Sequence, residues 1–196
     1  MAPVVHRFDP PERFIAGTVG EPGQRTFFLQ ARAGNRLTSV SLEKQQVEIL
    51  GQRIDELLDE LLSVGGVTSE IPREVAPDDV DGGPLDQPIE EEFRAGTITL
   101  SWDTADERVV IEVFPVSDQA VPIETDEEEL LDLPIDEPEP EEVFLVRLTP
   151  QQARTFAIRA GTVVSAGRPS CQFCGGPMDP AGHLCPRANG FRRTLA

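Results

Sequence analysis

The sequence predicts an α+β fold, in which two βββα-like halves contribute to one mostly antiparallel sheet and carry one helix each. Three observations predict it: strand-like runs arrive in threes, each set is followed by one helix-period stretch, and the two sets share words. The 196 residues suffice for one ordinary core, a length of roughly 150 per domain being only a prior.

In chain order, Glu12 to Val19 closes in Gly20-Glu21-Pro22-Gly23, and Arg25 to Arg32 closes in Ala33-Gly34-Asn35, so both read as strands ended by turn residues. Arg36 to Leu42 makes a third strand. From Glu43 the period changes. Val47, Leu50, Ile54, Leu57, Leu58, Leu61 and Leu62 recur at helical spacing until Gly65-Gly66, which predicts an amphipathic helix. Phe93 to Trp102 and Arg108 to Val116 then form a hairpin, and Val143 to Leu148 is another strand. Pro150 opens a second helix to about Ala166, with proline in its first turn and Thr149 as its cap. Trp102 and the phenylalanines, among them Phe14, Phe27, Phe28 and Phe156, are assigned to the core.

The halves echo each other. Phe14-Ile15-Ala16-Gly17-Thr18-Val19 returns as Phe93-Arg94-Ala95-Gly96-Thr97-Ile98, and Leu42-Glu43-Lys44-Gln45-Gln46 opens the first helix as Leu148-Thr149-Pro150-Gln151-Gln152 opens the second. Phe14 to Gln45 spans 31 positions and Phe93 to Gln151 spans 58; the excess of 27 is close to the 26 residues of an acidic insertion, 117–142. The domain reading is therefore a first half 1–64, an acidic Pro/Gly-rich linker 65–92, a second half 93–167 interrupted by insertion 117–142, and an Arg-rich tail 168–196.

Charge follows that division. The net charge is −18, of which segment 65–92 carries −8 and segment 117–142 carries −12, leaving +2 for everything else. An acidic total argues against a global grip on nucleic acid or anionic lipid. Prolines 72, 77, 84 and 88 in the first segment, and 122, 134, 138 and 140 in the second, disfavour helix and ladder. From Val143 onward seven arginines face one acid, Asp179. No apolar run approaches the ~18 residues of a membrane span, and Met1 to Pro10 lacks the pattern of a signal peptide, so the expectation is a cytoplasmic protein.

All three cysteines and one of the two histidines fall within fifteen residues, as Cys171-Gln172-Phe173-Cys174 and, after eight residues, His183-Leu184-Cys185. A C-x2-C pair aims two thiolates at one ion from a tight turn, and His183 with Cys185 completes a tetrahedral Cys3His shell. Zinc fits that donor set best. A disulfide would leave one thiol over, and a thioredoxin-like pair would need a βαβ setting. A catalytic zinc would need an open position, whereas four protein ligands close the shell. The site is expected to be structural, one Zn2+ folding a tail with too few apolar side chains to fold alone.

The run Gly167-Arg168-Pro169 through Cys171, Cys174, Gly175, Pro177, Asp179-Pro180, Gly182-His183 and Cys185-Pro186-Arg187-Ala188-Asn189-Gly190 resembles the C-terminal signature of an actinobacterial family of unknown function. Pro11-Glu12-Arg13-Phe14, Ala16-Gly17-Thr18-Val19-Gly20 and Leu42-Glu43-Lys44-Gln45-Gln46-Val47 match it too. The resemblance covers nearly the whole chain outside the acidic segments. It implies a cytoplasmic zinc-containing protein, often encoded near a histidine-phosphatase-like protein, and no established activity.

Three function classes follow. The first is a non-catalytic adaptor whose zinc-stapled tail meets a protein partner, with Arg168, Arg187, Arg192 and Arg193 available to a carboxylate or phosphate. Glu127 to Ile135 mixes acid with Leu and Ile and is a second candidate contact, or else a tether. The next class is nucleic-acid binding through the tail, with Phe173 and Phe191 stacking on bases. The third is an enzyme acting on a phosphorylated or nucleotide substrate. For that class no phosphate-loop, dinucleotide, nucleophile-elbow or zinc-protease motif is present, and no catalytic residue is assigned. His6 is the only histidine outside the cluster and reads as a structural side chain of a terminal strand.

Overall fold

The computed structural model describes residues 3–21, 23–116 and 141–166, together with Cys171, Phe173, Cys174, Cys185 and Arg187. Alternation and helical period place the elements where the sequence puts them. Strands β1 (Val4–Phe8), β2 (Arg13–Val19), β3 (Thr26–Ala33) and β4 (Arg36–Leu42) lead into α1 (Lys44–Val64). After a single 3-10 turn at Pro77–Asp79, β5 (Glu91–Asp103), β6 (Arg108–Pro115) and β7 (Glu142–Leu148) lead into α2 (Pro150–Ser165). Gly65, in the left-handed region at φ 73°, ends α1.

Each half is thus an antiparallel meander followed by a helix. Units β2-β3-β4-α1 and β5-β6-β7-α2 lie side by side, because β4 pairs parallel with β5. The sheet order is β1-β7-β6-β5-β4-β3-β2. β1, the terminal strand of His6 to which the sequence reading gave no bounds, pairs parallel with β7 and so adds the N-terminus of the first half to the sheet of the second.

That order forces the sheet to curl. β1 and β2 are its two edges, yet only residues 9–12 separate them, a reach of at most ~18 Å, whereas seven flat strands would span ~29 Å. Ring contacts show the closure: Phe14 of β2 lies 6.4 Å from Phe144 of β7, and Phe14 stacks on Phe156 of α2 at 4.6 Å. The inner face carries Phe8, Phe27, Leu29, Val40, Val109, Ile111, Phe144 and Val146, packed with Val47, Leu50, Ile54, Leu58 and Phe156 of the helices. α1 and α2 approach closely at Gly51, where an added Cβ would lie 3.1 Å from that of Ala160. Arg154, buried, ties the pair by donating to Asp55 and Asp59 at 2.9 and 2.6 Å and to the carbonyl of Pro72.

The capping glutamines join the units reciprocally. Gln46 Oε1 accepts from the Glu43 N–H while its amide donates to the carbonyl of Gly96 at 2.8 Å; Gln152 Oε1 accepts from the Thr149 N–H while its amide donates to the carbonyl of Pro11 at 2.8 Å. Each helix start is therefore bonded to the beginning of the other unit.

Segment 65–92, expected as a linker on composition, is a packed strap in its course across β2 and β3. Ile71 joins the main core, and Leu85 with Ile15 and Phe28 forms a small second core on the outer face. Gln30 receives the Asp86 N–H at 2.7 Å and donates to the Asp86 carbonyl. Arg13 holds Asp81 at 2.5 Å, and this guanidinium, with the Gly83 N–H and Arg159, lowers the Asp81 carboxyl to about 2. Composition misled because prolines forbid ladders without forbidding packing. Its last two residues, Glu91 and Glu92, already belong to β5. Insertion 117–142 lies outside the described residues except Glu141 and Glu142.

Candidate metal centre

Cys171, Phe173 and Cys174 form a tight turn, and Cys185 returns to it from eleven positions further on. Cys171 and Cys185 are buried, and the three sulfurs all lie within 4.8 Å of one another. Between Cys171 and Cys185 the Sγ···Sγ distance is 3.6 Å. That is far beyond the ~2.05 Å of a disulfide and close to the ~3.8 Å that separates two thiolates on a tetrahedral ion with ~2.3 Å bonds.

The turn prepares the thiols electrically as well as geometrically. Backbone N–H groups of Cys174 and Phe173 point at Cys171, the latter at 3.4 Å, and hold its thiol below the ordinary cysteine range. Donors aimed at sulfur favour the thiolate, which is the form that binds metal. Arg187 donates to the carbonyl of Phe173 at 3.1 Å and so ties the position two residues after Cys185 to the C-x2-C turn. Phe173 itself is 61% exposed.

Of the predicted ligands, the structure brings Cys171, Cys174 and Cys185 together. His183, Arg168, Arg192 and Arg193 lie outside the described residues, as does Phe191. A soft three-sulfur group suits zinc among the common divalent ions.

A second group escaped the sequence reading. His6 of β1, Glu92 of β5 and Glu142 of β7 also gather their ligand atoms within 4.8 Å of one another. They are 86 and 136 positions from His6 in sequence, so no local spacing announces them. Only the register of β1 on β7, with Val4 opposite Glu142, brings them together.

Among the described residues no helix is long and apolar enough to cross a membrane. The chain belongs to the family described as Protein of unknown function (DUF3090), which matches residues 6–185 and so takes in both groups. No curated protein and no solved structure matches it.

Proposed function

We propose that this chain is a zinc-binding protein of the cytoplasm, as its resemblance to an actinobacterial family implies, that acts through contacts with a partner protein. Zinc is held by Cys171, Cys174 and Cys185 with His183 as the fourth ligand, and its role is structural, closing a tail that presents Arg168, Arg187, Arg192 and Arg193 to the partner. The observation that carries the metal reading is the three-sulfur group, within 4.8 Å of one another and with its Cys171–Cys185 edge at 3.6 Å, near the tetrahedral value. Exposed Phe173 beside it, with Arg187 on its carbonyl, supports the reading of this surface as a contact site, since aromatic and arginine side chains dominate interface energetics.

Metal analysis of protein purified without added metal tests the first step. About one zinc per chain is expected, falling to near zero in Cys171→Ser; three titratable thiols and no metal would end the proposal. Parallel affinity capture with both forms tests the second: partners that remain with the metal-free variant would move the contact away from the tail.

The same exposed Phe173 favours nucleic acid as the second reading, because a base can stack on an exposed ring face. Retention of labelled RNA or DNA at ~150 mM salt, lost on Arg192/Arg193 double substitution, supports it, and no retention at ~50 mM salt removes it.

A further inference from the structure

The second group lies where the rolled sheet ends. Along β1, Val4, His6 and Phe8 share one face, and along β7, Glu142, Phe144 and Val146 share the same inner face, as strand alternation requires. His6 and Glu142 therefore sit one step out from Phe8 and Phe144, which are 1% and 0% exposed and meet edge to face at 5.9 Å. The rim is polar and its floor is aromatic. Glu92, at the start of β5, closes the third side and is the most exposed of the three, with 43% of its side chain accessible against 18% for His6.

The distances do not suit an ordinary hydrogen-bonded triad. His6 Nε2 is 3.8 Å from both Glu92 Oε1 and Glu142 Oε2, beyond the ~2.7 to 3.2 Å of a hydrogen bond. Both His6 Nε2 and Glu142 Oε2 are fully shielded from solvent without a hydrogen-bond partner among the described residues. Leaving a buried acceptor and a buried ring nitrogen unpaired is costly, so such atoms call for an explanation. Ligand atoms around one ion with bonds of ~2.0 to 2.2 Å lie about 3 to 4 Å apart, a range that takes in both distances from His6.

From this geometry we propose that His6, Glu92 and Glu142 form a second metal site, which takes a first-row divalent transition-metal ion. One imidazole and two carboxylates select a harder ion than the thiol tail does, so the two centres differ in what they bind. Three protein ligands leave coordination positions open on the Glu92 side, where water or an anion can enter. The apolar floor of Phe8 and Phe144 lowers the local dielectric and strengthens the carboxylate–metal attraction. The site does not depend on the tail: none of its ligands lies beyond residue 142.

Manganese alone is the discriminating probe, because Mn2+ binds thiolates poorly and cannot displace zinc from the tail. Calorimetric titration of the full chain is expected to give about one Mn2+ per chain, weakened 10- to 100-fold in His6→Ala and Glu142→Gln and unchanged in Glu90→Gln and Cys171→Ser. Glu92→Gln, on the exposed side, serves as the variant least able to disturb folding and is expected to weaken binding at least tenfold. In the proton spectrum, substoichiometric Mn2+ is expected to broaden the imidazole resonance that His6→Ala removes. Absence of saturable binding, or binding that survives Glu92→Gln and Glu142→Gln, overturns the site and reassigns any retained Mn2+ to the acidic segments. Loss of zinc from the tail with Mn2+ binding intact would sink only the thiol reading, so the two proposals fail separately.

Discussion

The two βββα units use the same words to begin, but they protect their outer strands in different ways. In the second unit β7 receives β1 as a backbone partner, so its ladder groups are satisfied by another strand. In the first unit β2 has no strand on its outer side among the described residues, and there Arg159 of α2 bonds to it. Its guanidinium, buried, donates to the carbonyl of Ala16 on β2 at 2.7 Å and to the carbonyls of Asp81 and Gly83 on the strap. One side chain thus closes a sheet edge and anchors the strap. Repeated local sequence evidently fixes the strands and helices of a unit without fixing how its edge is covered.

Arg159→Leu should break the comparison most severely. It takes the Arg159 donor from one buried carbonyl, that of Ala16, and from two part-buried ones, those of Asp81 and Gly83, on the first unit and its strap, and touches nothing equivalent on the second. A loss of roughly 3 to 5 kcal/mol is expected in urea denaturation, or failure to fold. Stability within ~1 kcal/mol of the parent would show that water covers this edge adequately.

The echoed glycines give the next largest effect and a direct contrast. A Cβ at Gly96 would lie 2.9 Å from the Pro115 oxygen and the Val116 Cα, both backbone, whereas at Gly17 it would lie 2.6 Å from side-chain atoms of Leu85. Backbone cannot withdraw and a leucine can, so Gly96→Ala should cost about 2 to 3 kcal/mol and Gly17→Ala about 1 to 2. Adding Leu85→Ala to Gly17→Ala should be less harmful than the sum of the two changes, and should give no relief to Gly96→Ala. Equal costs at the two glycines, with strict additivity, would mean that the strap does not press on β2.

The smallest effect is the pH dependence that Asp81 of the strap contributes. Asp81 has its carboxyl lowered from 3.8 to about 2, so it contributes stability that is complete above pH 4 and is lost as pH falls toward 2. Its side chain is 36% exposed, and the pair is partly screened, so the contribution is about 1 kcal/mol. Denaturation midpoints measured from pH 5 to pH 2 should fall more steeply in the parent than in Asp81→Asn. Parallel curves would show that Arg13 holds the strap no better than water does.

Much of this was legible in the chain. The change of period at Glu43 marks the start of the first helix and Thr149 caps the second, and the run Arg36 to Leu42 gives β4 with its observed bounds. The C-x2-C spacing brings Cys171 and Cys174 to one turn, and Cys185 joins them. By contrast Asp81 and Leu85 were hidden among acids and prolines, since a segment's composition reports its solubility and not the surface waiting to receive it. Phe27 and Phe28 were both read as core, and the structure sends them to opposite faces, Phe27 inward and Phe28 under Leu85.

By itself the sequence determined the order of the two meanders and their helices, the Thr149 cap, the repeat and the clustering of three thiols. These are set by interactions that span a few positions: hydrophobic period, turn residues, side-chain caps and ligand spacing. Only the tertiary structure decided that the sheet rolls, that β1 crosses to the second unit, that Arg159 closes the edge of the first, and that His6 meets Glu92 and Glu142. Those outcomes join residues tens to more than a hundred positions apart, and each depends on strand register and chain reach, quantities that exist only once the sheet has closed around its helices.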